Sequence, residues 1–370
     1  MESTREEKMK RTRRKKGKRI NILLLLLLFF TTASSILLLV LYLGEKNKTQ
    51  EAMSQNVLLE KEMKSSDTMT LEEANKKIEE ASKQVRDDTS KEYLDQIKTM
   101  MENGDGTLTL LETLYPENIV VPDSGRYYFF DILPELKKSD YQGGEFTYPV
   151  LNEETRKYEG EASFSKDGEV VSKKGIDVSK FQGDINWNLV AQDGVEFAFI
   201  RLGYRGYGSG KIVADEKYEA NIDGAMAAGI DSGVYFFTEA INEKEGIEEA
   251  DFVIDALAGR DIDLPIVIDL EESASKEDSR TKNMTAEERT KVVVAFCERI
   301  KEAGYEPMIY GNLKSLMLML NMEELEDYEK WFAYYHYPLR FPYQCRYWQY
   351  SATGKVNGIK GNADLNIAFY

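Results

Sequence analysis

Residues 264–273 read LPIVIDLEES. Pro265 opens a short run rich in Ile and Val, the composition of a buried strand. The run closes on Asp269, Leu270, Glu271 and Glu272, and a buried strand does not ordinarily finish on carboxylates, because an unpaired charge in low dielectric is costly. Side chains alternate across a strand, so Asp269 and Glu271 point one way and Leu270 the other. Such a pair can serve as a helix N-cap or a salt-bridge partner. It can also mark a strand that leaves the core at an open face and presents both acids to a cleft. The neighbouring segments decide between these readings.

From Lys174 onward, strand-like runs recur at 175–179 (GIDVS), 197–203 (FAFIRLG), 232–238 (SGVYFFT), 264–271, 306–312 (EPMIYGN), 330–335 (KWFAYY) and 347–351 (YWQYS), with a last segment around 362–366. Helical patterns lie between the early ones, at about 187–193, 215–229, 242–259 and 285–303. Gly229 and Gly304 fall just past two of these helices, where a left-handed residue ends a helix. Strand and helix alternate five times, after which strands follow with less helix. The pattern predicts an α/β fold: an irregular, shortened TIM-like (β/α) barrel over 174–370, incomplete in its last third. Chemistry in such barrels sits at the carboxyl ends of the strands. Asp177, Asp269, Glu271 and Asp364 all map to that end, so the two acids of the opening stretch are expected to face a cleft. Glu272 points to the other side, as a solvated or ion-paired group.

One histidine in 370 residues, His336, excludes zinc sites built on several His ligands, and no CxxC is present. With no nucleophile motif beside His336, acid–base chemistry falls to carboxylates. No motif calls for a cofactor or a metal. Gly206-Tyr-Gly208-Ser-Gly210 is glycine-rich, but its spacing is wrong for a phosphate loop, and a mobile βα-loop is expected there. Cys297 and Cys345 are too few for a disulfide framework and read as two separate thiols.

The amino-terminal half has a different organisation. Residues 1–19 carry ten Lys or Arg against three acids, so in a chain of net charge −17 the remaining residues stand at −24. That acidity argues against nucleic acid as a partner. Residues 22–43 carry no charge, and 22 residues at 1.5 Å rise span roughly 33 Å, enough to cross a bilayer. The expected organisation is a basic cytoplasmic tail (1–19) and a transmembrane signal anchor (20–43), with everything after it outside. A cleaved signal peptide is the rival; its apolar region would be shorter and followed by small residues, whereas Ala33, Ser34 and Ser35 lie inside this run. Residues 44–106 read as a helical stalk, opened by a capping box at Thr70 to Glu73, with Leu71, Ala74, Ile78, Ala81 and Val85 in register. Asp88 and Glu92 break that register, so a spacer helix is favoured over a coiled coil, with weak self-association a lesser possibility. Residues 107–173 read as a small accessory module and linker, with Tyr127 to Phe130 seeding a core and a hairpin around Lys166-Asp167-Gly168.

The motifs of the last 197 residues, in order, are Gly175-Ile-Asp-Val-Ser-Lys-Phe-Gln-Gly183 with Ile185-Asn-Trp187, Phe199-Ile-Arg201 with Gly203, Gly233-Val-Tyr-Phe236, Ile268-Asp-Leu-Glu271, Tyr347-Trp-Gln-Tyr-Ser351 and Gly361-Asn-Ala-Asp-Leu-Asn366. Together they resemble the family 25 glycoside hydrolases over about 174–370. The resemblance implies a lysozyme-type muramidase acting on peptidoglycan glycan strands. The bond cut would be the β-1,4 bond between N-acetylmuramic acid and N-acetylglucosamine. It implies Glu271 as general acid/base, Asp269 as the acid that orients and polarises the substrate's 2-acetamido group, and Asp177 and Asp364 as acids lining the cleft. Tyr235, Trp348, Tyr310, Gln349 and Arg201 would contact substrate. A retaining, substrate-assisted route and an inverting one are both compatible with this. Asn186 stands where an Asp is common in the family and Ala363 where a Val is usual. A non-catalytic glycan-binding module of the same fold and a chitinase-like N-acetylhexosaminidase are the alternatives.

Overall fold

The computed structural model describes residues 71–139, 144–152, 154, 157–273 and 278–369. The basic tail, the apolar run 20–43 and the stalk up to residue 70 lie outside the described residues. Among the described residues no helix is long and apolar enough to cross a membrane. The chain divides into two compact units between Thr113 and Leu114.

The first unit contains α1 (Leu71–Glu102) and the start of α2 (Thr107–Leu114). The break in hydrophobic register at Asp88 does not break α1. Gln84 donates to the Asp88 carboxylate one turn on, at 2.9 and 3.1 Å, which keeps that polar face helical. The apolar residues Ile78, Val85, Tyr93, Ile97 and Met100 form a stripe that is only half-buried.

The second unit opens with a hairpin, β1 (Asn118–Asp123) and β2 (Arg126–Asp131). Its turn residues, Ser124 and Gly125, both have positive φ, the turn whose twist suits a two-residue hairpin. Five short strands follow: β3 (Gly144–Thr147), β4 (Val150–Asn152), β5 (Lys157–Glu159), β6 (Ser163–Lys166) and β7 (Glu169–Val170). They form a three-stranded β3-β6-β7 sheet and a β4–β5 pair. The β6–β7 hairpin turns at Asp167-Gly168, as the sequence suggests.

The remainder is the barrel. In chain order it comprises β8 (Lys173–Val178), α3 (Trp187–Gln192), β9 (Phe197–Arg205), β10 (Ile212–Ala214), α4 (Tyr218–Ala227), β11 (Asp231–Phe237), α5 (Glu243–Leu257) and β12 (Ile266–Asp269). It continues with α6 (Ala286–Glu302), β13 (Pro307–Asn312), α7 (Leu313–Leu318), β14 (Glu329–Ala333), β15 (Tyr347–Gly354) and β16 (Ala363–Ala368). Strands β8, β9, β11, β12, β13, β14 and β15 run parallel. Strand β16 runs antiparallel to both β15 and β8 and closes the ring, so the eighth strand departs from the expected parallel order. The glycine-rich stretch 206–210 is not a βα-loop, because it forms the tip of a β9–β10 hairpin. Gly229 and Gly304 follow α4 and α6 with φ of 75° and 88°, the left-handed position read from the sequence.

Alternation along the strands builds two cores. Phe197, Phe199, Val267, Met308, Trp331 and Tyr347 fill the lumen. Residues of opposite parity, such as Ile200, Val234 and Ile268, pack outward with Val293 and Phe296 of α6. Each such side chain contributes about 1.5–3 kcal/mol relative to exposure. The last strands lack long helices, and the preceding segment covers them instead. Phe146 packs edge-on against Trp348 and Phe369, with ring centroids 5.9 and 5.8 Å apart, and Phe164 meets Phe369. Phe146 and Phe164 therefore cover part of the face that the missing helices leave. Cys297 and Cys345 are both buried and are not bridged to each other.

Candidate active site

The open end of the barrel holds a cleft of about 320 Å³. Asp177, Asp269, Glu271 and Asp364 all line it. Asp269 is the last residue of β12 and Glu271 lies two beyond it on the same side, while Leu270 is buried in the outer core. Asp364 arrives differently. Because β16 is antiparallel, its beginning meets the ends of the other strands, and Asp364 stands directly opposite Asp177 in register.

The four carboxyls form one electrostatic system. Asp177 Oδ2 accepts hydrogen bonds from Gln349 Nε2 at 2.7 Å and Asn366 Nδ2 at 2.8 Å. Burial outweighs these bonds and pushes Asp177 up to about 6. Burial and the facing Asp177 raise Asp364 to about 8, so near neutrality Asp364 keeps the proton of their shared hydrogen bond. Burial, then the charges of Glu271 and Asp177, hold Asp269 well above the usual carboxylate range. Burial and Asp177 also raise Glu271, against the pull of the Tyr310 hydroxyl. Asp269 Oδ1 is buried without a hydrogen-bond partner among the described residues. A leaving-group acid must carry a proton, and burial together with the Asp177 charge moves Glu271 in that direction.

Gln349 organises the floor. Its Oε1 accepts from Tyr310 Oη at 2.8 Å and Tyr335 Oη at 2.5 Å while its Nε2 serves Asp177, which fixes the amide orientation. Tyr310 Oη lies 3.5 Å from Glu271 Oε1. Arg201 is anchored by Asp215, whose Oδ2 takes its Nε at 2.7 Å. Its guanidinium also lies 5.0 Å from the centroid of the Phe181 ring, which is 77% exposed at the cleft mouth. Glu272 turns away from the cleft to Lys314 Nζ at 2.7 Å, the ion-paired role expected of it. Asn186 caps α3 by accepting from Leu189 N, so the family departure at that position leaves the helix start intact.

Of the residues read from sequence, the structure brings Asp177, Arg201, Tyr235, Asp269, Glu271, Tyr310, Gln349 and Asp364 to the cleft, and leaves Trp348 out. Trp348 is fully buried on the outer face of β15, where its Nε1 donates to Tyr334 O and its ring meets Phe146 and Tyr148. The physical reason is parity: Trp348 and Gln349 are adjacent in a strand, so they cannot both face the lumen. The indole at the site is Trp331 on β14, whose Nε1 donates to Asn366 Oδ1 at 2.8 Å. Tyr335, Phe181 and Phe237 also line the cleft and were not singled out from sequence. Tyr335 shares the parity of Trp331 in the run KWFAYY, which was the available signal.

The raised acids fix the sign of the pH dependence of stability. A carboxyl whose folded pKa exceeds its unfolded value binds protons more tightly in the native state. Its stabilisation is complete below about pH 4 and is lost as pH rises through the folded pKa. Asp177 and Asp364 place that loss between about pH 4 and about 8, and the buried Glu249, raised to about 7, falls in the same window. Thermal melts should therefore give a higher Tm at pH 5.5 than at pH 8, and Asp364→Asn should flatten the difference. A Tm that rises over this range would contradict the buried-acid account.

The family model of the glycosyl hydrolases of family 25 matches residues 176–359. Lysozyme M1 of Streptomyces globisporus is 29% identical over 206 residues, covering 52% of this chain and 66% of its own length. The autolytic lysozyme of Clostridium acetobutylicum is 28% identical over 196 residues, covering 52% of this chain and 55% of its own. The chain thus spans about two thirds and about half of these curated relatives. The modular autolysin LytC from Streptococcus pneumoniae aligns with a TM-score of 0.50 at 21% identity, over 68% of this chain and 66% of that one. At that identity the likeness is one of fold.

Proposed function

The barrel of this chain belongs to the glycosyl hydrolases of family 25, and from that membership and its four-acid cleft we propose that the protein is an N-acetylmuramidase. It cleaves the β-1,4 bond between N-acetylmuramic acid and N-acetylglucosamine in peptidoglycan, tethered to the outer face of the cytoplasmic membrane by residues 20–43. The observation that carries the reading is the pairing of Glu271, raised towards protonation, with Asp269, whose buried Oδ1 has no partner among the described residues. The acetamido N–H of a bound N-acetyl sugar is a donor of the right kind for that oxygen.

In this scheme Glu271 protonates the glycosidic oxygen as the bond to the leaving sugar breaks. Asp269 holds the acetamido N–H, so that its carbonyl oxygen attacks the anomeric carbon and a cyclic intermediate forms. Glu271, now ionised, takes a proton from the water that opens this intermediate, and the starting configuration is retained. The Asp177–Asp364 pair, which shares one proton near neutrality, adds a single negative charge near the developing oxocarbenium ion. The Tyr235, Tyr310 and Trp331 rings offer apolar faces to the sugars.

The basic tail and uncharged run support a single-pass anchor with the barrel outside. The half-buried stripe of α1 is the surface through which weak self-association would run. Membranes carrying the chain should retain it through alkaline carbonate washing and should clear a suspension of purified wall. Deletion of 20–43 should move the clearing activity to the soluble fraction. Intact chain found in the soluble fraction would remove the anchor, and failure of both forms to clear wall would remove the hydrolase.

A further inference from the structure

A second cavity, of about 630 Å³, opens beside the first, a volume within the range of ligand clefts. The chain at 271–272 separates them: Glu271 lines the acid-floored cleft and Glu272 lines this one. Its walls come from three parts of the fold. The β1–β2 hairpin supplies Asp123 and Tyr128, α7 supplies Lys314, and the segment leading into α6 supplies Lys282 and Asn283.

The two cavities differ in chemistry. Rings wall the first, as suits sugar faces. The second has one ring, Tyr128, and its character is charge: Lys282, Arg289 and Lys314 against Asp123 and Glu272. With Glu239 holding Ser279 and Thr281 behind the wall, the cavity presents charges of both signs and suits a ligand that carries both. Its frame is held in place before any ligand arrives. Lys314 Nζ lies 2.5 Å from Asp123 Oδ1 and 2.7 Å from Glu272 Oε1, which ties the hairpin to the residue after Glu271. Arg289 Nη2 donates to Thr281 O at 2.6 Å and its Nη1 donates to Met284 O, which pins the facing wall. A preformed wall lowers the ordering cost of binding.

A bare glycan strand offers hydroxyls, acetamido groups and one lactyl carboxylate at each muramic acid, but no amine to meet Asp123 and Glu272. In intact wall, the lactyl group of muramic acid carries a short peptide with free carboxylates and, on its diamino residue, an amine. That ligand leaves the glycan at the same sugar whose anomeric carbon must lie between Asp269 and Glu271. We propose that this cavity receives the stem peptide of the muramic acid whose bond is cut. The cations would take its carboxylates, and Asp123 and Glu272 its amine. The inference rests on the muramidase reading above and gives the β1–β2 hairpin a part in substrate choice.

The test uses the full-length chain in detergent and two substrates, peptidoglycan with its peptides intact and the same strands stripped of peptide by an amidase. Wild type should show the higher kcat/KM on peptide-bearing strands. The double variant Lys282→Ala/Asn283→Ala alters two exposed side chains. It should lower the ratio of kcat/KM on the two substrates about ten-fold, the scale of one or two lost charge-assisted contacts, mainly through KM. Lys314→Gln should lower the same ratio. Equal loss on both substrates, or an unchanged ratio in both variants, would overturn the proposal while leaving the muramidase reading standing. Wild type that cuts neither substrate would overturn both.

Discussion

Replacing Glu271 by Gln should lower kcat/KM on peptidoglycan by about 10³-fold, within the range general acid–base groups supply. The two side chains have nearly the same shape, so the effect isolates the proton. Glu271 lies at the end of the barrel's most buried strand, beside Asp269, and its proton is held on by burial and the Asp177 charge. Gln can neither deliver that proton to the leaving oxygen nor remove one from water, so both halves of the reaction suffer. Removing an acid that is costly to ionise leaves the fold at least as stable, and Tm should hold or rise slightly. The wild-type rate should fall as pH rises through the raised Glu271 value, because the protonated form is consumed. Glu271→Gln protein retaining a tenth of wild-type kcat/KM would assign the acid to another residue.

Asp269→Asn should lower kcat by about 10²- to 10³-fold, the usual effect of removing one preorganised electrostatic contact at the reacting centre. Stability should rise while kcat falls. Asp269 is buried, its Oδ1 has no partner among the described residues, and Glu271 and Asp177 oppose its ionisation. A buried group in that condition is a cost to the fold that function retains. Kinetics on N-deacetylated glycan give a sharper reading. If Asp269 acts through the acetamido group, wild type should lose most of its rate on that substrate, and Asp269→Asn should add little further loss. Independent, multiplying losses would favour the inverting route, in which the acetamido group is a bystander.

The barrel was legible in the sequence because its strands are short apolar runs between well-marked helices, and Gly229 and Gly304 stop two of those helices where a left-handed residue is needed. Asp269 and Glu271 were legible because period-two alternation puts them on one face past a core strand. Two features were not. The direction of β16 cannot be read from its composition, yet that direction brings Asp364 opposite Asp177. The choice between Trp348 and its neighbours turns on which parity of YWQYS faces the lumen, and aromatics occupy both faces. The outward one is covered by Phe146 and Tyr148, from a segment that read as a small accessory module rather than as part of the barrel. Tyr335 and Trp331 escaped notice for the same reason: in an aromatic-rich strand, composition does not distinguish wall from core.

The most direct test is the identity of the sugar end released from purified peptidoglycan by the wild-type chain. Products reduced with borohydride and read by mass spectrometry should carry new reduced muramic acid ends, absent from the Glu271→Gln digest. New reduced glucosamine ends, or no new ends at all, would contradict the muramidase assignment.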